Sequence, residues 1–408
     1  MNLSTFLRRA AAAPPAVVLQ ASQANGYGVI RDLARYGIPS LALDPDPAAL
    51  GFLSRHAHGM VCPDPATHEA EFVERMLEVG RQLPQRGVVF PTHDEYVWAV
   101  SRNADRLEPY YHIPFSRWET MSRVADKEQQ LKAAWKVGVD TPPTIFLTDA
   151  GQLAEAAEQI TFPAILKPVH GVEFKRRFGR QVLKVSAPEA LEDAWRTVDG
   201  CGAMMLQDII PGGDDELYTV GSYLDARSRP LAVFTGRKIR QHPRTFGTAR
   251  FAESVWIQEL ADAGLRLLAE LGYHGISQVE FKRDARDGSF RLMEVNARHW
   301  LWHSLAACCG VDLSYVAYRD AIDKPFVAAR QVDGRRWALS LVDLLDSTLE
   351  ISRGELSPAV WLKSMRGIRV DGMISLSDPR PGATSAVRLV RRLARRRRTR
   401  RRRDRTQP

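Results

Sequence analysis

In the run Met293-Glu294-Val295-Asn296-Ala297-Arg298, alternate positions carry Glu294, Asn296 and Arg298. Alternate side chains of an extended strand share a face, so a carboxylate, an amide oxygen and a guanidinium would point the same way. Hard oxygen ligands suit Mg²⁺, which completes its octahedral shell with water and phosphate oxygens, while Arg pairs bidentately with phosphate or carboxylate. Metal and phosphate could meet on such a face. An ordinary amphipathic strand with a solvated polar face has the same spacing, so the neighbouring elements have to decide between the two.

Two apolar-alternating runs, 278–282 and 290–295, are joined by a turn containing Asp287-Gly288, the pattern of an antiparallel hairpin. Pairing them sets Glu280 beside Glu294 or Asn296, where carboxylates that repel one another could share divalent cations. Upstream, the strand pattern 236–241 puts Lys238 and Arg240 on one face, a cationic pair suited to an anion, though a solvated edge strand has the same pattern. The apolar run 162–168 delivers Lys167 near its end. It is followed by a bulky basic loop, 171–180, and a strand, 181–185, that carries Lys184. Residues 203–213 form a strand breaking into the turn Pro211-Gly212-Gly213, and Asp214-Asp215-Glu216 opens a further strand, 217–223. A helix is expected over 252–271, ahead of the hairpin.

The first part of the chain alternates strand, turn and helix. Residues 16–20 read as a buried strand, a turn spans Asn25-Gly26 and Gly28, a helix runs from Val29 to Tyr36 and stops at Gly37, and strands follow at 38–43 and 87–91. This is a doubly wound α/β start. The glycine spacing in 23–28 does not match the dinucleotide fingerprint, so a nicotinamide cofactor is set aside. A helix over 125–137 stops at Gly138, and the Pro-rich stretch 139–144 marks a connector.

At 408 residues, with 45% hydrophobic and 26% charged residues, the chain suits two or three packed domains of soluble type. Its net charge of +9 is concentrated at one end: residues 388–408 hold twelve Arg and one Asp, leaving −2 for the rest. That end lacks the interleaved aromatics of a stacking platform and reads as a disordered appendage able to touch polyanions non-specifically. The four cysteines form no CxxC pair, which fits a reducing cytoplasm, and no apolar run is long enough for export or a membrane span.

The order of these motifs, over 17–324, resembles the ATP-grasp superfamily and, within it, carboxylate-amine ligases of the D-aspartate ligase type. The resemblance implies a pre-ATP-grasp α/β domain over 1–120 and a two-lobed α+β ATP-grasp domain over 121–328. An extension over 329–385, within which 332–381 is expected to be helical, and the Arg-rich tail 386–408 would follow. It implies ATP and Mg²⁺ as cofactors, two ions with Mn²⁺ as a substitute, and small-molecule carboxylate and amine substrates joined through an acyl phosphate. Oligomerisation is compatible with it. By resemblance, Lys127 and Lys167 would hold ATP phosphates, Gln207, Asp208, Ile209 and Ile210 would form the adenine-reading segment, and Glu216 would take the ribose hydroxyls, with Asp214 and Asp215 as rivals. Glu280, Glu294 and Asn296 match the family's metal ligands, Glu294 bridging. Arg298, Lys238 and Arg240 would neutralise charge at the reacting centre. The family's phosphate-covering loop is often built of small residues, and here 171–180 departs from that.

Other outcomes on the same scaffold, carboxylation or phosphotransfer, would use the same nucleotide residues, and a polyanion-binding protein acting through the Arg tail is a reading of a different class. Asp94, just past the end of the 87–91 strand, is a candidate for orienting the amine. His299 and His303 stand at i, i+4 without an HExxH pattern and are expected to pack or to contact substrate rather than bind zinc, while Trp300, Trp302 and Tyr315 are expected to pack.

Overall fold

The computed structural model describes residues 1–169, 174, 177–179, 182–244, 247–327 and 329–391. They divide into two compact units, one built from Met1–Pro114, Arg240–Ser254 and the described residues from Arg298 onward, the other from the described residues within Phe115–Ile239 and Val255–Ala297.

The first unit opens with five parallel strands in the order Ala57–Val61, Ser40–Asp44, Ala16–Leu19, Gly87–Pro91, Tyr111–His112. Every residue of Ala16–Leu19 is buried, as a strand covered on both faces by helices must be. This is the doubly wound pattern expected. The first helix of that pattern begins earlier than expected: Ala24–Ala34 absorbs Asn25, Gly26 and Gly28, which the sequence placed in a turn. Those glycines answer to crowding. A Cβ on Gly26 would sit 2.3 Å from the Gln20 carbonyl oxygen, and one on Gly28 would sit 2.6 Å from Ser304 Oγ and 2.8 Å from His303 Nε2. The chain reverses at Gln20, which holds a φ of 65°.

The same unit carries Thr248–Ser254, paired antiparallel with Arg336–Ala338, which lies parallel to Ile368–Asp371. The helix expected over 252–271 therefore starts too early. Ala252 and Glu253 face Trp337 and Arg336 in the ladder, and the helix itself runs Gln258–Glu270 in the second unit. The segment after 329 contains the helices Ser340–Ser352 and Pro358–Ser364, but also those two strands, so it is not simply helical. Helix Ser340–Ser352 is turned against its hydropathy. Its buried residues are Asp343, Ser347 and Glu350, while Leu344 and Leu349 are exposed. The last described helix, 379–391, follows Asp378, which is 1% exposed and accepts from Ser54 Oγ at 2.6 Å, Tyr27 Oη at 3.2 Å and the Arg55 amide at 3.1 Å.

The second unit holds a four-stranded antiparallel sheet in the order Thr144–Leu147, Met204–Asp208, Ala164–Pro168, Leu183–Val185. Leu147, Leu166, Leu206, Val185, Leu191 and Phe174 pack its core. A second antiparallel run orders Phe290–Asn296, Gly275–Arg283, Leu217–Leu224 and Pro230–His242, the last strand entering the first unit at Arg240.

Candidate active site

The hairpin forms in a register that sets Glu280 directly opposite Glu294 and Gln278 opposite Asn296. The register slips between Glu280 and Phe281, leaving Met293 as the extra residue of a bulge, a device that adds local twist and re-aims side chains. Two facing carboxylates repel, and each has a cation beside it: Lys238 Nζ lies 3.0 Å from Glu280 Oε2 and Lys127 Nζ lies 3.6 Å from Glu294 Oε1. Lys238 is buried, which strengthens its pairing with Glu280. Lys127 is placed by capping. Asp126 accepts from the Glu128 and Gln129 amides at 2.8 and 3.1 Å, so helix Lys127–Lys136 begins at that lysine.

Asn296 donates its Nδ2 to Gln278 Oε1 at 3.4 Å, which turns its amide oxygen away from Gln278. Among the described residues no three His, Cys, Asp or Glu side chains gather as a metal cluster. A cation at the hairpin would thus draw on Glu280, Glu294 and the Asn296 oxygen, an all-oxygen set that fits Mg²⁺ and leaves positions for phosphate and water.

Lys167 projects from Ala164–Pro168, and its ammonium is pushed down to about 8. Burial is the main cause and the positive charge of Lys127 adds to it, while Glu294 opposes them. Gln207 is buried and donates Nε2 to Thr144 Oγ1 at 2.7 Å. Asp208 is occupied by the fold, accepting from the Thr161 amide at 2.9 Å. Ile209 and Ile210 follow the end of the Met204–Asp208 strand, with Ile210 buried. Glu216 closes the turn Asp214–Glu216. Gln207 Oε1 and Glu216 Oε2 are buried acceptors with no hydrogen-bond partner among the described residues. Buried acceptors of this kind are what a nucleotide's amino and hydroxyl groups could satisfy.

Two residues were missed. Lys282 stands two positions after Glu280, an alternation visible in the sequence, and its ammonium is lowered by burial against the opposing pull of Asp214, Asp284 and Glu216. Gln130 is buried and bonds the backbone of Val295 in both directions, a contact no local pattern signals.

Arg298 and Arg240 belong to the first unit. The strand ends at Asn296, so the alternation expected to carry Arg298 onto the face of Glu294 stops short of it. Arg298 instead pairs with Asp94. Arg240 is held by Asp343, Nε to Oδ1 at 2.7 Å and Nη2 to Oδ2 at 2.8 Å, and by Ser364 Oγ at 2.9 Å, over the ring of Phe251. The expected partnership of Lys238 and Arg240 therefore divides between two different carboxylates. Lys184 is exposed on its strand. Most of the loop 171–180, and residues 392–408 of the Arg-rich tail, lie outside the described residues.

His299 and His303 pack. His299 Nε2 lies 2.9 Å from Ser314 Oγ with its ring held well below the usual imidazole range by burial, and His303 Nε2 lies 3.0 Å from the Asn25 carbonyl oxygen. Trp300 and Trp302 are buried, and Tyr315 stacks on Tyr36.

A family model described as the carbamoyl-phosphate synthase L chain, ATP binding domain, matches residues 247–327. A D-aspartate ligase of Enterococcus faecium is 22% identical over 332 residues, 76% of this chain and 77% of that one. Among solved structures, the biotin carboxylase domain of the Hydrogenobacter thermophilus 2-oxoglutarate carboxylase, in complex with MgADP, ADP and bicarbonate, superimposes with a TM-score of 0.61. It is 18% identical, over 78% of this chain and 72% of that one. An L-amino acid ligase from Bacillus licheniformis gives a TM-score of 0.55 at 17% identity, over 75% and 74%.

Proposed function

The chain belongs to the ATP-grasp superfamily, and from that premise we propose that it is an ATP-dependent ligase joining a carboxylate to an amine. A carboxylate oxygen attacks the γ-phosphorus, the bond to the β-phosphate oxygen breaks and ADP leaves. The amine nitrogen then attacks the acyl carbon, phosphate departs, and the amine's proton passes to solvent or base. Carboxylate and γ-phosphate are both anions, so they approach only where cations cancel the repulsion.

The observation that carries this reading is the Glu280–Glu294 pair, in register across the hairpin with Lys238 on one carboxylate and Lys127 on the other. Glu280, Glu294 and Asn296 would hold Mg²⁺, two ions with Mn²⁺ able to replace them, whose chemistry is to screen the phosphate oxygens and align the γ-phosphate. Lys127 and Lys167 bind phosphates, Gln207 to Ile210 read adenine, and Glu216 takes the ribose. Lys238 orients Glu280 and stands ready for a substrate anion. Arg240 works in the fold through Asp343, and Arg298 acts together with Asp94. The likeness to a D-aspartate ligase and to an L-amino acid ligase favours an amino acid among the substrates. No helix among the described residues is long and apolar enough to cross a membrane, and the four free cysteines suit a reducing cytoplasm.

A screen of ADP release with Mg²⁺ against amino acids and small carboxylates tests the reading. Release that requires both an acid and an amine, with an amide product, supports it. The likeness to a biotin carboxylase domain favours a second reading, carboxylation, and ADP release that depends on bicarbonate would replace the first with it.

A further inference from the structure

We infer that Gln130 is a positioning residue for the proposed metal ligands, its side-chain amide serving as the missing neighbour of the strand that carries Glu294 and Asn296. The inference rests on the ligase reading above. Phe290–Asn296 lies at the edge of its ladder, paired on one side with Gly275–Arg283. In an antiparallel ladder the backbone groups of successive residues point alternately toward and away from the partner, so an edge strand turns some of them outward. On the outer side of Val295, Gln130 supplies both halves of a strand-like pairing. The Val295 amide donates to Gln130 Oε1 at 3.0 Å, and Gln130 Nε2 donates to the Val295 carbonyl at 3.1 Å.

Gln130 is itself fixed, 4% exposed and donating also to the Val124 carbonyl at 2.6 Å. Further along the same edge, the Leu292 amide donates to the Asp140 carbonyl at 2.7 Å. The clip therefore acts at the end of the strand, on the residue between Glu294 and Asn296, where an edge strand would otherwise fray.

Gln130 stands at i+3 from Lys127, so one face of one helix delivers a lysine to Glu294 and an amide to Val295. Metal-ligand direction and phosphate-lysine placement are thereby set by a single rigid element. Outer residues that orient metal ligands change metal affinity by roughly 10- to 100-fold when removed.

The test uses the full chain, with ADP as the probe and Mg²⁺ titrated, read by equilibrium dialysis. Gln130→Met fills the same space without either strong bond, and Gln130→Glu keeps the acceptor for Val295 but loses the donors. The expected result is that Gln130→Met needs roughly 10-fold more Mg²⁺ or above for half-maximal ADP binding, with ADP binding in the absence of Mg²⁺ held near the parent's. Gln130→Glu falls between them and reads the effect if the methionine variant does not fold. An unchanged Mg²⁺ requirement in folded variants that only melt earlier makes Gln130 an ordinary structural residue and overturns the inference. ADP binding by the parent that ignores Mg²⁺ overturns the metal reading itself and this inference with it.

Discussion

Arg298 grips Asp94 with two nitrogens, Nε to Oδ1 at 2.7 Å and Nη2 to Oδ2 at 3.2 Å. Asp94 opens helix Asp94–Arg102, directly after the parallel strand Gly87–Pro91. Two side chains separated by two hundred positions in the chain thus form one forked unit, and a forked pair acts through its geometry as much as its charge. Arg298→Lys and Asp94→Asn are expected to reduce ADP release to similar extents, with the double variant no worse than either. That is a coupling of about 0.5–3 kcal/mol in a double-mutant cycle on kcat/KM. Independent, additive losses would show that the two residues serve separate ends.

Lys167 gives a pH signature. Its ammonium titrates near 8 in the folded chain, below the ordinary lysine range, so between pH 8 and about 10 the unfolded chain holds a proton there that the folded chain lacks. The sign follows: this group's contribution to folding stability rises with pH across that window, while the charge that would hold a phosphate is lost above pH 8. ADP affinity should decline from pH 7 to pH 9 in the parent and stay flat in Lys167→Arg, which keeps its charge. Parallel profiles for the two proteins would remove Lys167 from the phosphate site.

Asp343 is wholly buried between two arginines, taking Arg240 as described and Arg250 Nε at 3.3 Å, while Arg250 also reaches Asp346 at 3.0 Å and Glu350 at 2.6 Å. Removing the central carboxylate strands buried positive charge, so Asp343→Ala should cost about 3–5 kcal/mol in chemical denaturation. Arg240→Ala added to it should recover part of that loss. A stable Asp343→Ala protein with lost ADP release would instead return Arg240 and its partner to the chemistry.

Gly26→Ala and Gly28→Ala separate hard from soft crowding. The obstruction at Gly26 is backbone, the Gln20 carbonyl oxygen and the Ala21 Cα at 2.9 Å, whereas the contacts at Gly28 are side-chain atoms able to turn. Gly26→Ala should lose about 1–3 kcal/mol or more despite the better helix propensity of alanine, and Gly28→Ala less. Equal melting temperatures for Gly26→Ala and the parent would contradict this account.

Residues 278–296 could be read closely from sequence because alternation and an Asp-Gly turn determine a hairpin locally, and the hairpin determines which carboxylates face. Lys167 was legible for the same reason, as a charge interrupting an apolar strand. Arg298 was not, since strand alternation says nothing about where the strand ends. Gln130 carries no local signal, because its partner is the backbone of a residue 165 positions away. The helix Ser340–Ser352 misleads outright. Hydropathy would bury Leu344 and Leu349, yet the helix presents Asp343, Ser347 and Glu350 inward because Arg240 and Arg250, a hundred positions earlier, wait there. Pairing between distant charges overrode the apolar stripe.

The buried carboxylate of Asp378 has a practical consequence for trimming the Arg-rich end. It buckles the start of the last described helix to Tyr27, Ser54 and the amide of Arg55, so the last described segment of the chain is fastened to the helix Ala24–Ala34 and to the connection at 54–55, all within its first sixty residues. Arg388 adds a bond from that helix to the carbonyl of Ala48. A stop codon after residue 391 would spare this clasp, whereas one placed at 388 clips its outer stitch and one before 378 opens it altogether. A shortened protein that misbehaves would report on the clasp first and on the arginines second.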